Sequence, residues 1–155
     1  MRYLQLLLVI SFFLTSCSGR DVAFEKHQAF ENNTWHRFNK LNIDIPVEKT
    51  GKMYDIVFSF VHTKEYQYDN LPVHVIINTP SGEKRINEFT IKIRDKEKGF
   101  IGEKEGDSIH LQKVLWGGVV VKKKGTVNIS IEQIIPKYNT HHIKSAEILL
   151  KETEK

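Results

Sequence analysis

Cysteine is nearly missing from this chain, because Cys17 is the one thiol among 155 residues. A domain with so little cysteine cannot close an internal disulfide, even in an oxidising compartment, so packing alone must hold its core. Common catalytic signatures are missing as well, since the sequence contains no Gly-x-Ser-x-Gly elbow and no Walker-type phosphate loop. The sequence therefore predicts no enzyme, no catalytic residue, no metal site, no cofactor and no small-molecule substrate.

A strong excess of one charge is also missing. Lys and Arg number 23 against 19 Asp and Glu, which gives a net charge of +4 at pH 7. The only tight cluster of positive residues is Lys122-Lys123-Lys124-Gly125, which predicts a charged hairpin turn. Because a nucleic-acid-binding domain needs a dense basic face, this composition argues against a nucleic-acid partner.

No apolar run in the chain is long enough to span a bilayer. The longest one begins at Leu4 and ends at Leu14, whereas a transmembrane helix needs about 20 apolar residues. Arg2 precedes this run and the small residues Thr15-Ser16 follow it, which is the pattern of a removable export signal.

The position of the cysteine makes this prediction more specific. Leu14-Thr15-Ser16-Cys17 resembles the lipobox of bacterial lipoproteins, in which the thiol accepts a diacylglyceryl thioether and the cysteine becomes the first residue. We therefore predict removal of residues 1–16 and membrane attachment through acyl chains on Cys17, since two chains or more hold a protein stably. The alternative is an ordinary signal peptide in which the cysteine falls at this place by chance.

The exported part has the size of one domain. Loss of the first 16 residues leaves 139, which is enough for a single core. We divide it into a lipidated tether, residues 17–33, and a β-sandwich domain, residues 34–155. Within the first of these, Asp21 to Glu31 is compatible with a helical turn or with an edge strand.

Apolar residues in the exported part recur mostly with period two, and β-branched and aromatic side chains dominate these runs, which indicates strands. Seven or eight short strands separated by turns predict an all-β fold, a two-sheet antiparallel β-sandwich that is jelly-roll-like. The stretches 52–62 and 71–78 are nearly apolar on both faces and should lie centrally, with Trp35 and Trp116 closing the core edges. The predicted strands are centred on Leu41 to Ile45, Tyr54 to Phe60, Val73 to Ile77, Phe89 to Ile93, Ile109 to Val121, Val127 to Ile131 and Ile143 to Leu150.

Aromatic residues with polar tips occupy one predicted connection between strands. Tyr66 and Tyr68 would present both rings on one face if the segment is extended. For Tyr66 and Tyr68 we favour packing inside the domain. The alternatives are a partner surface formed by Tyr66, Tyr68, Asn70 and Trp116, or a platform for a sugar.

Three further groups carry residue types that bind metals, but each has an ordinary explanation. His141-His142 would point to opposite faces of a strand, and no third ligand is nearby in the sequence. His62 and His74 lie in neighbouring predicted strands, where histidines usually make ordinary hydrogen bonds. The carboxylates from Asp95 to Asp107 surround glycines as calcium ligands do, yet interleaved lysines offset their charge and the spacing differs from an EF-hand loop.

A series of short motifs follows the lipidation site in a fixed order: Val22 and Phe24, Trp35-His36, Tyr66 to Leu71, Pro80-Ser81-Gly82, Gly99-Phe100-Ile101-Gly102, Gly106-Asp107, Lys124-Gly125-Thr126 and Ile131-Glu132-Gln133. In this order the motifs resemble those of the gliding motility lipoprotein H family (GldH) of Bacteroidetes. The chain departs from the family pattern at Gln67, Phe100, Lys104 and Ile134-Ile135, where hydrophobic and turn character are kept. Asp107-Ser108-Ile109 also resembles the short O-glycosylation motif of Bacteroidetes envelope proteins.

The resemblance implies a non-enzymatic, lipid-anchored accessory of the gliding apparatus, which in that phylum is tied to the type IX secretion system. Its partners would be envelope proteins of that machinery, and its expected location is the periplasmic side of the outer membrane. The alternative function is a glycan-binding lipoprotein of a nutrient-uptake system, because sandwich folds commonly hold sugars on aromatic platforms.

Overall fold

The computed structural model describes residues 22–153, so Cys17 and the predicted export signal lie outside the described residues. Strands account for most of this part, and it contains no α-helix and no helix that could cross a membrane. In chain order the elements are β1 (Val22–Ala29), a 3-10 turn (Glu31–Asn33), β2 (Thr34–His36), β3 (Leu41–Val47), β4 (Met53–Thr63), β5 (Asn70–Asn78), β6 (Lys84–Lys92), β7 (Arg94–Asp95), β8 (Gly99–Phe100), β9 (Glu103–Glu105), β10 (Ser108–Val120), β11 (Gly125–Gln133), β12 (Asn139–His141) and β13 (Ile143–Thr153).

Two antiparallel sheets hold the long strands. One has the order β1-β13-β4-β10-β9, and the other has the order β3-β11-β5-β6. If the eight long strands are numbered by themselves along the chain, the sheets read 1-8-3-6 and 2-7-4-5, which is the strand order of a jelly roll. The predicted fold, an all-β, jelly-roll-like sandwich, is confirmed.

The most apolar strands lie inside the sheets, as predicted for 52–62 and 71–78. β4 pairs with β13 and β10, and β5 pairs with β11 and β6. Every second side chain of β4 and β5 points into the space between the sheets, because successive strand residues face opposite ways. The inward stripes of these two strands are Tyr54, Ile56, Phe58, Phe60 and His62, and Leu71, Val73, Val75 and Ile77.

The segment that the sequence allowed as helical turn or edge strand is an edge strand. β1 pairs with β13 from Val22 opposite Lys151 to Ala29 opposite Ser145. Only Phe24 of this strand is partly buried, so the backbone ladder holds β1 in place with little help from apolar burial. The described part of the proposed tether thus includes a strand of the sheet.

The connection that contains Lys122 to Lys124 does not close a hairpin, and this part of the prediction is wrong. β10 belongs to the five-stranded sheet and β11 to the four-stranded sheet, so the connection crosses from one sheet to the other. β10 continues through Gly117-Gly118, where its register against β4 shifts. The N–H of Gly118 donates to Oδ1 of Asp55 at 2.9 Å across this bulge.

Candidate functional site at one end of the sandwich

The aromatic connection between β4 and β5 folds back onto the core. The side chain of Tyr66 is 1% exposed, and its ring lies 5.8 Å from Phe60, 5.2 Å from His62 and 5.7 Å from Tyr68. Tyr66 therefore cannot offer its ring to a partner, and the alternative of a partner surface is wrong for this residue. Packing inside the domain, the favoured interpretation, is what the structure shows for Tyr66.

Arg94 fastens this connection to the neighbouring strands. Its guanidinium donates to Oδ1 of Asp69 and to the carbonyl oxygen of Tyr66, both at 3.0 Å. The same group lies 4.3 Å from the ring centroid of Phe100, within the range of a cation–π contact. One planar cation thus joins two chain segments that are far apart in the sequence.

The ring of Phe100 completes the cluster, because it lies 5.1 Å from the imidazole of His62. We call His62, Tyr66, Tyr68, Arg94 and Phe100 the Tyr66 cluster. It unites the two motif segments Tyr66 to Leu71 and Gly99 to Gly102 at one end of the sandwich. The residues that carry the resemblance to a family here serve to pack the domain.

Burial sets the protonation of the cluster. Desolvation lowers the pKa of His62 and outweighs the opposing hydrogen bond to the carbonyl of Thr63. Desolvation also raises the pKa of Tyr66 strongly, with a smaller contribution from Tyr68. Both side chains are therefore neutral near pH 7, and neither reaches solvent, where a general acid or base would have to meet its substrate.

The remaining members of the partner-surface alternative differ in exposure and in their contacts. Tyr68 is half-buried against Tyr66, whereas Asn70 is exposed at the start of β5. Trp116 is half-buried in β10 and contacts Phe89 edge to face at 4.8 Å. No ring contact within 22–153 joins Trp116 to Tyr68, so a surface through these residues stays a prediction.

The four histidines of the sequence analysis do not gather into one metal-binding group, although the rings of His141 and His142 lie 6.4 Å apart. His62 and His74 belong to strands of different sheets, so they do not neighbour each other as the sequence had indicated. Nδ1 of His141 lies 3.0 Å from Oγ1 of Thr34, an ordinary hydrogen bond. Among the described residues, no group of three or more His, Cys, Asp or Glu side chains is arranged to hold a metal ion.

Two of the carboxylates that resembled calcium ligands, Asp95 and Asp107, are engaged by nitrogen donors. Asp95 accepts hydrogen bonds from the Lys92 ammonium and from the backbone N–H groups of Glu97 and Lys98, which lower its pKa to about 2. The ammonium of Lys144 contacts Asp107 at 2.9 Å and lowers the pKa of that carboxyl. These oxygens serve local turns and ion pairs.

A shallow depression of about 560 Å³ lies on the outer face of the five-stranded sheet. Small side chains, among them Ser59 and Ser145, form part of its floor, and the rim carries His110 and Lys144. Nε2 of His110 lies 3.3 Å from Glu105, so the rim charges are already partnered. An open, ion-paired depression of this kind lacks the desolvated cleft that acid–base catalysis needs.

Sequence reasoning missed two features of this end. Arg94 has no sequence signal, because its hydrogen-bond partners Tyr66 and Asp69 lie in a remote segment. Phe38 and Tyr138, which are 70% and 65% exposed, lie together although 100 positions separate them. A signal was present for this pair, because each aromatic residue directly follows a basic one, in Arg37-Phe38 and Lys137-Tyr138.

The comparisons with known proteins agree with the fold and the motifs. The family described as GldH lipoprotein matches residues 22–148. The chain belongs to the GldH lipoprotein family. The family resemblance predicted from the order of the motifs is thereby confirmed.

A comparison with a named GldH protein shows how similar this chain is to another member of the family. The "Gliding motility lipoprotein GldH" of Flavobacterium johnsoniae is 25% identical over 130 residues, which cover 84% of this chain and 79% of the relative. The matched region of the family contains the whole Tyr66 cluster, from His62 to Phe100. Membership of this lipoprotein family implies a lipid-anchored protein of the cell envelope.

Proposed function

We propose that this protein is a non-enzymatic lipoprotein that supports gliding motility and type IX secretion by binding other proteins of the envelope. The observation that carries the proposal is the GldH family match over residues 22–148. In the sequence this region is preceded by the predicted export signal, residues 1–16, and by Cys17. The geometry of the Tyr66 cluster is in keeping with a binding role rather than with catalysis, because the side chains of His62 and Tyr66 are buried in packing contacts.

The anchor in this proposal is the thioether on Cys17, with the export signal removed at residue 16. Five positions separate Cys17 from Val22, where β1 begins, and a chain of five residues spans about 17 Å at most. The sandwich is then held close to its membrane. We place it on the periplasmic side of the outer membrane, where it would meet the secretion and gliding machinery.

A deletion strain of the native bacterium tests the proposal. Complementation with the wild-type gene should restore colony spreading and the secreted protein profile, whereas Cys17→Ser should leave the protein in the soluble fraction and restore neither. Ser18→Ala is a matched control, because it changes the adjacent residue and keeps the thiol.

Two outcomes would contradict the proposal. One is unchanged spreading and secretion in the deletion strain, above all if the purified protein binds glycans, which would favour a role in nutrient uptake. The other is full membrane retention and full complementation by the Cys17→Ser variant. Intact-mass analysis of the native protein gives an independent check, since acyl chains add mass at residue 17.

A further inference from the structure

The short sheet of β2 and β12 brings together two dipeptides of the same kind, Arg37-Phe38 and Lys137-Tyr138. The N–H of Arg37 donates to the carbonyl oxygen of Tyr138 at 2.8 Å, directly beyond the paired strands. The rings of Phe38 and Tyr138 meet edge to face at 6.1 Å. These four residues form what we call the aromatic patch.

The aromatic patch is the most exposed aromatic surface among residues 22–153. Phe38 and Tyr138 are the only aromatic side chains among the large exposed hydrophobics of this range, and the two contact each other. Single exposed apolar residues are common on proteins, but adjacent aromatic rings with a polar rim are typical of interaction sites. A partner that covers both rings would gain apolar burial without first rearranging this surface.

Hydrogen bonds to buried parts of the domain hold the aromatic patch in shape. Trp35 is fully buried, and its Nε1–H donates to the carbonyl oxygen of Asn39 at 2.8 Å. The N–H of Lys40 donates to the carbonyl oxygen of Phe38 at 3.1 Å. The loop that carries Phe38 is therefore fixed to the core, which lowers the ordering cost of binding.

The charges of the aromatic patch indicate the chemistry of its partner. Arg37 and Lys137 have no ion pair with any described carboxylate, whereas the nearby Lys40 is paired with Glu132 at 3.0 Å. The guanidinium of Arg37 lies 6.0 Å from the ring of Phe38. Two unpaired cations beside two exposed rings are complementary to a segment that carries both carboxylates and apolar side chains.

The direction of β1 separates the aromatic patch from the lipid anchor. Cys17 precedes Val22, while the patch follows the opposite end of the strand at Ala29. The eight residues of β1 span about 26 Å at the usual rise of a strand. This exceeds the reach of the five positions that precede β1, so the patch lies at the end of β1 that is farther from the attachment point, which favours a protein over the bilayer as its partner.

We propose that the aromatic patch binds an extended, acidic segment of another envelope protein. Phe38 and Tyr138 pack against apolar side chains of that segment, and Arg37 and Lys137 pair with its carboxylates. This inference rests on the proposed function, since it names the surface and the class of partner through which the lipoprotein acts.

Photo-crosslinking in living cells tests the inference on the full-length lipoprotein. Tyr138→p-benzoylphenylalanine places the probe in the patch, and Ile86→p-benzoylphenylalanine is the control, because Ile86 is 56% exposed on β6 and lies outside the patch. We expect a protein adduct at position 138, absent at position 86, whose crosslinked peptide contains several Asp or Glu residues.

Charge reversal then tests the role of the cations. With the probe at position 138, Arg37→Glu combined with Lys137→Glu should reduce the adduct about tenfold, the effect of losing roughly 1.4 kcal/mol of binding free energy. Lys113→Glu combined with Lys123→Glu is the matched control, since it reverses two exposed lysines elsewhere and should leave the adduct unchanged. Immunoblots of membrane fractions correct each yield for the amount of lipoprotein present.

Several results would overturn the inference: an adduct with lipid, an adduct with a second copy of this chain, a crosslinked peptide without acidic residues, or equal adducts at positions 138 and 86. The inference would also be overturned if charge reversal left the yield of the adduct at position 138 unchanged. The proposed function fails separately, through unchanged spreading and secretion in the deletion strain, so the two failures are distinguishable.

Discussion

The imidazole of His62 lies against the phenol ring of Tyr66, with 5.2 Å between the ring centroids. Nδ1 of His62 is 2.8 Å from the carbonyl oxygen of Thr63, which can only accept, so this contact assigns the proton of the neutral ring to Nδ1. Neither Nε2 of His62 nor Oη of Tyr66 has a hydrogen-bond partner among the described residues. A second proton on His62 would place an unpaired N–H and a positive charge in this buried site.

The first prediction concerns the pH dependence of folding. Because burial lowers the pKa of His62 in the folded state, the unfolded chain binds a proton more readily than the folded one. The contribution of the neutral ring to stability is therefore complete above pH 6.5 and is lost as the pH falls from there towards the lower folded-state pKa. Urea unfolding of the soluble domain between pH 8 and pH 5 should show this decline.

The variant His62→Phe isolates this effect from the other histidines. It fills the space beside Phe60 and Phe100 with a ring that does not titrate, so the decline in unfolding free energy below pH 6.5 should be smaller than in the wild type. His74→Phe removes a histidine from the other sheet and should keep the wild-type decline. Identical pH profiles for the wild type and His62→Phe would contradict the assignment.

The second prediction concerns the hydroxyl of Tyr66, which is buried without a hydrogen bond. Tyr66→Phe removes this group and leaves the ring contacts, so it should keep or raise the free energy of unfolding, by up to about 1 kcal/mol. Tyr66→Ala removes the ring as well and should lower it by about 3–5 kcal/mol. A loss of more than 1 kcal/mol in Tyr66→Phe would show that the hydroxyl has a stabilising partner.

The sequence predicted the sheets better than it predicted this end of the sandwich. β3 alternates strictly between buried and exposed residues, from Leu41 to Val47, and period two therefore reveals it. β1 is exposed at nearly every position, because it is held by backbone pairing with β13, and no periodicity marks it. Edge strands of this kind escape pattern reasoning for a physical reason: their side chains are not needed in the core.

The candidate site was harder to predict because its contacts are remote in the sequence. Tyr66 and Tyr68 lie in a connection, where burial depends on which segments fold over it, and here Arg94 and Phe100 do so. The pairing of β2 with β12 likewise brings Phe38 to Tyr138. Sequence reasoning singled out Tyr66 and Tyr68 but not the segments that cover them, and it did not find the contact between Phe38 and Tyr138.

The third prediction concerns Gly102, between β8 and β9. Its φ is +117°, and a Cβ at this position would overlap the carbonyl oxygen of His110 in β10. Gly102→Ala should therefore lower the free energy of unfolding by about 3 kcal/mol or more, since backbone strain and a clash act together.

Gly106→Ala provides the matched control for Gly102→Ala. Gly106 also has a positive φ, +61°, but nothing lies within 4 Å of the place where its Cβ would be. Gly106→Ala should therefore lower the free energy of unfolding by only about 1 kcal/mol, the cost of holding an alanine at a positive φ. Equal effects of the two substitutions in urea unfolding would show that the close approach of residue 102 to His110 is absent in solution.

The fourth prediction concerns the guanidinium of Arg94. Arg94→Lys keeps the positive charge but cannot reach Asp69, the carbonyl of Tyr66 and the face of Phe100 together, because an ammonium lacks the planar fork of the guanidinium. The free energy of unfolding should fall by about 1–2 kcal/mol, as expected for one lost hydrogen bond and a weakened cation–π contact.

Arg85→Lys is the control, because Arg85 makes a single surface ion pair with Glu83 at 2.7 Å. This variant should lower the free energy of unfolding by less than about 0.5 kcal/mol. If the two variants unfold at the same urea concentration, then Arg94 does not fasten the connection between β4 and β5. The result also bears on function, since the segments that Arg94 joins are those whose order identified the family.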